Sequence, residues 1–560
     1  MFEINDSNNT LLSADFNTES TLDVISPQST STSSSVFYDP GTLEADRFSL
    51  APDYQLTVFS GKGNIEYGDG FYDTLDLSNI SIDSVELGFA KNQEGYYYDV
   101  GDGRRAFDSV ILADDRQILF EGVERIVFAD RILDLAFNPD DPGFDIQWNL
   151  HTMGVHTAWN FTTGTDDILI GVQDSGLGID AAGNIHPDIQ ADETWVLSDN
   201  FADDFFRESA FGSGKLQPNS HGTSVQGIIS AETDNGVGIA GINWNSDVYN
   251  VDVIDGNIGD LNLVGATQSM IDLATSQGQK LIINMSLEGA LSNSDFETLI
   301  ANNQDDVLFV IAAGNGGEDR ISDPVLSNPA IYAAEYDNVV AVGAVWGNTD
   351  EVGNPVVPGT LATYSNYGEG ISVVGPTFVP TTNATSEGEL IYRNFNGTSA
   401  AAPNVAGVAS LVWSANSDLS ATQIKEILSD TAYDLGTEGN DLVYGGGLIN
   451  ADTAVRRAIS VEPESTSSNF NFSTIPFFSD TTSSSSGASF LVSEENTAIP
   501  STTSSDRVDD PKVQNSVIRE SSNSKLPTSL FDYEAPELQQ IAKLDGQLVQ
   551  EDLFSSPLYQ

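Results

Sequence analysis

Cysteine is absent from the chain. That excludes disulfides, thiolate zinc sites and thiol catalysis. Basic residues are scarce: 21 Lys and Arg stand against 83 Asp and Glu in 560 residues, a formal charge of −62. The anomaly lies more in the missing bases than in the extra acids, since an average soluble chain carries both signs in near balance. A polyanion of this size repels phosphate backbones, which argues against nucleic acid as a partner and against an anionic membrane surface. Calcium is favoured, because carboxylates are its natural ligands. No run approaches the roughly 18 apolar residues of a membrane span, so no transmembrane segment is expected. The opening MFEINDSNNTLLSADFNTES has neither a basic start nor an apolar core and does not read as a secretory signal peptide.

What is present divides the chain by texture. Residues 1–50 are polar, with the low-complexity run QSTSTSSSV, and read as a disordered N-terminal segment. Residues 54–137 hold short runs of alternating polarity (YQLTVFS, DTLDLS, SVELGFA, DSVILAD, QILFEG, RIVFAD) between Gly and Asp turns, the strand–turn–strand spacing of a small β module. In residues 138–456, apolar strands (DILIGVQDS, KLIINMSL, VLFVIAAGN, NVVAVGAV, GISVVGP) alternate with amphipathic helices. This predicts an α/β domain with a mostly parallel central sheet covered on both faces. Residues 457–560 form a Ser/Thr-rich, mostly disordered tail, in which APELQQIAKLDGQLVQEDLF has the pattern of one amphipathic helix.

Three segments of the α/β region carry chemistry. Asp174 closes the apolar strand of DILIGVQDSGLGI, His221 opens the helix of NSHGTSVQGIISA, and Ser399 opens the helix of FNGTSAAAPNVAGVASLVW. A serine hydroxyl is a poor nucleophile until a base takes its proton. Histidine supplies that base near neutral pH, and a buried carboxylate fixes its tautomer. Taken singly, each residue has an ordinary structural reading: a Ser after Gly-Thr is usually a helix cap, and a histidine on an apolar-faced helix is usually packing. His151 and His156 read as structural, and His186 as a turn residue. The chain order Asp–His–Ser is what separates this arrangement from the other serine-hydrolase orders.

DSG, HGTS and GTSAAAP in this order resemble the three signatures of the subtilisin-like serine proteases, or subtilases, over about Asp141–Val455. The resemblance implies a serine endopeptidase acting on polypeptides, with Asp174 as orienting carboxylate, His221 as general acid and base, and Ser399 as nucleophile. VIAAGNGG resembles the family's oxyanion strand, implying that Asn315 donates its side-chain amide beside the backbone N–H of Ser399. One such donor is worth about 3–4 kcal/mol in the transition state. The cleft then holds Ser286, Leu287, Glu288 and Gly289, with Ser327 near the pocket floor. Glu288 stands where most relatives carry a small residue, which reads either as a solvated rim carboxylate or as a bias toward basic substrate residues.

DPGFDIQWNLH, HPDI and TDNGVGIAGI are similar to the kexin-like (proprotein convertase) branch. That similarity implies a calcium site of Asp141, Asp188 and Asn235 with the carbonyls of Glu232 and Val237. The tryptophan and acid pair that serve kexin-type dibasic recognition are missing after Ser286. YGDGFYDTLDLS partly resembles the Gly/Asp repeats of calcium-binding secreted toxins, but the motif is not reiterated, and a plain β module is expected. Arg104-Arg105 and Arg456-Arg457 are the only Arg pairs, and neither lies just before Asp141. Two rivals accompany the protease reading: a catalytically dead subtilase used for binding, and an adhesion protein acting through the β module. The expected setting is extracellular or periplasmic by a leaderless route, and cytoplasmic otherwise. A monomer is expected.

Overall fold

The computed structural model describes residues 36–180, 182–189, 220–253, 263–289, 293–316, 325–385, 388–461 and 473–474. The tail beyond 474, with its expected helix, lies outside them. The β module begins earlier than its texture suggested. Strands β1 (Val36–Asp39) and β2 (Arg47–Ser49) fall within the segment read as disordered, whose first 35 residues lie outside the described set. The reason is visible in their contacts: polar though this stretch is, Phe37 packs on the module's core and Phe48 is buried in it.

The remaining strands of the module are β3 (Leu56–Ser60), β4 (Thr74–Leu77), β5 (Val85–Gly88), β6 (Tyr96–Asp99), β7 (Arg104–Leu112), β8 (Gln117–Glu121), β9 (Arg125–Phe128) and β10 (Ile132–Asp134). They form two sheets that do not follow chain order. β1, β3 and β8 stack in parallel in one sheet, and β2, β4 and β9 stack in parallel in the other. The chain therefore passes from sheet to sheet in three rungs, with the antiparallel strands β5, β6 and β7 inserted before the third. Phe48, Phe59, Leu75, Ile118, Phe120 and Ile126 fill the space between the sheets.

After two short helices, α1 (Trp148–Thr152) and α2 (Val155–Ala158), the α/β domain is built on β11 (Ile168–Asp174), β12 (Asp247–Asp252), β13 (Lys280–Met285), β14 (Val307–Ala312), β15 (Val339–Val345) and β16 (Ile371–Pro376). These strands run parallel in the order β12-β11-β13-β14-β15-β16. Alternate residues face opposite layers, as a pleated strand requires. Ile168, Ile170 and Val172 point into one core and Leu169 into the other. The first core is covered by α3 (Ser220–Ser230) and α6 (Thr398–Ala415), the second by α4 (Leu263–Gln277) and α5 (Ser294–Asn302). β17 (Val379–Ala384) and β18 (Leu390–Phe395) form a hairpin, and α7 (Ala421–Asp430) and α8 (Ala451–Ala458) close the domain. Because β11 lies between β12 and β13, the chain turns outward in both directions there. The crevice at its carboxyl end is the usual ligand position in such sheets.

The two parts are joined by a buried polar seam. Arg456 on α8 reaches Asp108 of β7 at 2.8 Å and Asp452 at 2.7 Å, and Gly122 N–H donates to Asp452. Burial works against the Arg456 charge, but the carboxylates of Asp108 and Asp452 outweigh it and hold the guanidinium above its ordinary value. Arg105 is buried against Glu121 at 2.8 Å. In each Arg pair one member is thus buried inside an ion network, a structural role. Tyr67 of the module packs its ring against Phe144, His151 and His156, while His156 bonds Glu124 at 3.1 Å. The expectation that these two histidines are structural agrees with that placement.

Candidate active site

The crevice at the end of β11 gathers the residues the motifs singled out. Asp174, the last residue of β11, is buried, and its two carboxylate oxygens lie 2.8 and 3.0 Å from Nδ1 of His221. His221 sits in the first turn of α3, where Gly222 follows it. A Cβ on Gly222 would overlap the carbonyl of Gly176, so glycine is what lets the helix start this close to the strand. The β17–β18 hairpin pins that helix: Thr381 and Thr382 donate to the carbonyls of Ser224 and Thr223 at 2.7 and 2.9 Å. Phe395, from the same hairpin, sets its ring edge-on to the imidazole at 5.0 Å.

Ser399 lies in the first turn of α6 and is nine-tenths buried. Pro403, four residues on, has no N–H to offer the Ser399 carbonyl. Ser286 Oγ takes that place at 2.8 Å and in this way ties β13 to the helix start. The Ser399 hydroxyl donates to the Ser286 carbonyl at 3.2 Å rather than to His221. In substrate-free enzymes such contacts are often open and close when substrate binds.

Asn315 follows β14. Its Oδ1 accepts from the N–H and the hydroxyl of Thr398 at 2.9 and 3.1 Å, which leaves the amide nitrogen to face the start of α6. Gly397, the N-cap of α6, has φ 93°, a conformation suited to glycine. Tyr364 and Thr377 hold it from both sides: Gly397 N–H donates to Tyr364 Oη at 2.9 Å, and Thr377 Oγ1 donates to the Gly397 carbonyl at 3.0 Å. Neither residue was singled out by sequence, since a tyrosine and a threonine in loop and strand ends carry no local motif.

The cleft residues Ser286 to Gly289 follow β13 directly. Leu287 is buried, Gly289 is exposed with φ 79°, and Glu288 is half-buried. Glu288 Oε2 accepts from the N–H of Asn315 at 3.0 Å and from the hydroxyl of Ser327 at 3.1 Å. It is therefore no free rim carboxylate. Asn366, also missed, donates to Ser327 Oγ and to the Ala313 carbonyl and thus braces Ser327.

The residues implied for calcium lie near one another. Asp141 accepts from Asp234 N–H at 2.8 Å and, weakly, from Asn235 N–H at 3.5 Å; Asp188 accepts from Ile239 N–H at 3.0 Å. Glu232 joins through its N–H to the Asp188 carbonyl, and Val237 through its N–H to Asn235 Oδ1. The second carboxylate oxygen of Asp188 is buried without a hydrogen-bond partner. Burial, with Asp141 nearby, pushes the Asp188 carboxyl up to about 7. Among the described residues no three acidic or imidazole side chains converge into a ready-made metal cluster. Here two carboxylates and an amide meet, a hard-oxygen set suited to calcium. His186 Nε2 donates to the Ile391 carbonyl and its Nδ1 accepts from Asp188 N–H, consistent with its expected turn role.

Residues 165–447, half of the chain, match the sequence profile of the subtilase family. The chain belongs to the subtilase family. It is similar to the alkaline elastase YaB of Bacillus sp. (36% identity over 239 residues, 42% of this chain and 56% of the relative). It is also similar to an extracellular protease of Xanthomonas campestris pv. campestris (30% over 379 residues, 62% and 61%) and to subtilisin DY of Bacillus licheniformis (34% over 239 residues, 42% and 78%). The chain spans little more than half the length of the first two relatives. These relatives are bacterial, and the kexin-like character read from HPDI and TDNGVG has no counterpart in their names. The subtilase match starts at residue 165, so the β module lies wholly outside it.

Proposed function

We propose that this subtilase is a serine endopeptidase that hydrolyses polypeptides through Asp174, His221 and Ser399. The observation that carries the reading is the hydrogen bond of a buried Asp174 to His221, beside a helix start flanked by an oriented Asn315 amide. Ser399 Oγ attacks the scissile carbonyl while His221 Nε2 takes its proton. Asp174 keeps Nδ1 protonated and stabilises the imidazolium. The oxyanion receives hydrogen bonds from Ser399 N–H and Asn315 Nδ2. His221 then protonates the leaving amine, and water, activated by the same imidazole, releases the acyl group. A fluorophosphonate probe should label Ser399 in the parent and not in Ser399→Ala. Absence of labelling would leave the catalytically dead binding module, the reading favoured by the Ser399–Ser286 contact.

Calcium belongs to the same proposal. Asp141, Asp188 and Asn235 would hold it, with the Glu232 and Val237 carbonyls completing the shell. The partnerless buried oxygen of Asp188 supports the fit. Such an ion supplies positive charge that relieves two facing carboxylates and clamps the segments before β11 and after α3. The placement of these three side chains also supports the kexin-like reading of this region. An extracellular setting accords with the naming of the Xanthomonas relative. Among the described residues no helix is long and apolar enough to cross a membrane.

A further inference from the structure

Beside Ser399 lies a carboxylate, Glu288, that no cation among the described residues neutralises. One wall of the cleft is the Ser286–Gly289 segment and the other is Ala313–Asn315, with Ser327 beneath. Glu288 reaches from the first wall to the second, where its Oε2 is held by Asn315 N–H and by Ser327 Oγ. A Cβ placed on Gly314 would overlap Ser327 Oγ and stand 2.5 Å from Glu288 Oε2, so the lack of a side chain there is what leaves room for these groups. The second oxygen, Oε1, accepts no hydrogen bond among the described residues, and no Lys or Arg there forms an ion pair with Glu288. Leu287 and Ala313 beside it are buried and apolar. A half-buried carboxylate with one anchored oxygen and one that accepts no hydrogen bond among the described residues is a receptor for a cation. Charge-assisted hydrogen bonds are the strong ones. The net charge of −62 adds a long-range field of the same sign, which draws cationic peptides toward the cleft.

We propose that Glu288 makes this pocket select Lys or Arg immediately before the scissile bond. The proposal rests on the endopeptidase reading. It also sets this chain apart from a relative that is named an elastase. If Glu288 instead only fills the slot, the smallest side chains are favoured, which is the outcome that competes with it.

The test compares kcat/KM on peptide p-nitroanilides that differ only in the residue before the anilide: Lys, Arg, Leu and Ala. The parent should cleave the Lys and Arg substrates at least tenfold better than Leu and Ala. Glu288→Gln keeps the volume and removes the charge, and should lower the Arg-to-Leu ratio by tenfold or more. Benzamidine, but not neutral benzamide, should protect Ser399 of the parent from fluorophosphonate; this arm needs no variant to fold. Labelling of Ser399 together with a preference for Ala or Leu, an unchanged ratio in Glu288→Gln, or equal protection by the two aryl compounds overturns the proposal alone. A parent that neither labels nor hydrolyses any of the four substrates overturns the endopeptidase reading and this proposal with it.

Discussion

Both parts of the molecule are built on parallel strands, but they cross from one strand to the next by different means. In the α/β domain most steps from one parallel strand to the next contain a helix, such as α4 between β12 and β13 or α5 between β13 and β14. In the β module the step from β1 to β3 passes through β2, a strand of the opposite sheet, and the step from β3 to β8 passes through β4. A parallel pair demands a long connection, and the two parts satisfy that demand with different elements. The consequence is functional. A helix crossover puts a helix start at the carboxyl edge of the sheet, where His221 stands, and α6, entered from the β17–β18 hairpin, brings Ser399 against Ser286 at the end of β13, whereas the module's strand crossovers supply area. The module lends that area to the α/β domain through α8, α1 and α2.

The sharpest break between the parts is chemical. Ser399→Ala should lower peptide hydrolysis by about a millionfold, as loss of a triad nucleophile does, while the melting temperature of the whole chain stays where it was. Hydrolysis at the parent rate would remove the triad. Next in size comes the seam. Arg456→Met leaves Asp108 and Asp452 buried without their cation and should cost about 3–5 kcal/mol of stability. Chemical denaturation that shows the parent midpoint would mean the two parts do not depend on that ion pair.

Asn315→Leu removes one oxyanion donor at nearly constant size and should cut turnover about a hundred- to thousandfold, with a smaller change in KM. A change confined to KM would instead make Asn315 a substrate-binding residue. Calcium should add about 2.7 kcal/mol at a hundredfold excess over its dissociation constant, lost on chelation. Asp188→Ala should blunt that response more than Asp180→Ala, whose carboxylate only caps its own exposed turn. Melting curves indifferent to chelator in all three proteins would dismiss the metal.

The smallest effect lies at the junction. Burial, with His156 close by, holds His151 well below the ordinary imidazole value. The unfolded chain therefore binds a proton there as pH falls below about 6.5 while the folded chain does not. Stability should decline toward acid by up to about 1.4 kcal/mol per pH unit. His151→Phe, which gives up no hydrogen bond because neither ring nitrogen has one, should flatten that limb in urea midpoints at pH 7.5 and 5.5. Asp73 titrates in the opposite sense, since burial and then Glu124 raise its carboxyl. The difference between parent and variant is thus the quantity to read, and equal slopes would acquit His151.

The sequence by itself determined the nature of the α/β part, because most strands there are buried on both faces and so appear as nearly continuous apolar runs. Its candidate site was equally legible: Asp174, His221, Ser399 and Asn315 lie at strand ends and helix starts, where local motifs such as HGTS and GTSAAAP encode both the turn and the candidate side chain. β12 escaped notice because DVYNVD interrupts its apolar residues with polar ones that the surrounding helices satisfy, as Gln226 does for Asn250. Tertiary structure alone decided the rest. It paired β1 with β3 rather than with β2, because the turns permit either course and the Phe48–Phe59 core selects between them. It made Arg105 and Arg456, each one member of an Arg pair, into buried ion partners. It brought Asp141, Asp188 and Asn235 together, and it drew Tyr364, Thr377 and Asn366 around the site. Each of these contacts joins residues far apart in the chain, and no periodicity or local motif records a contact of that range.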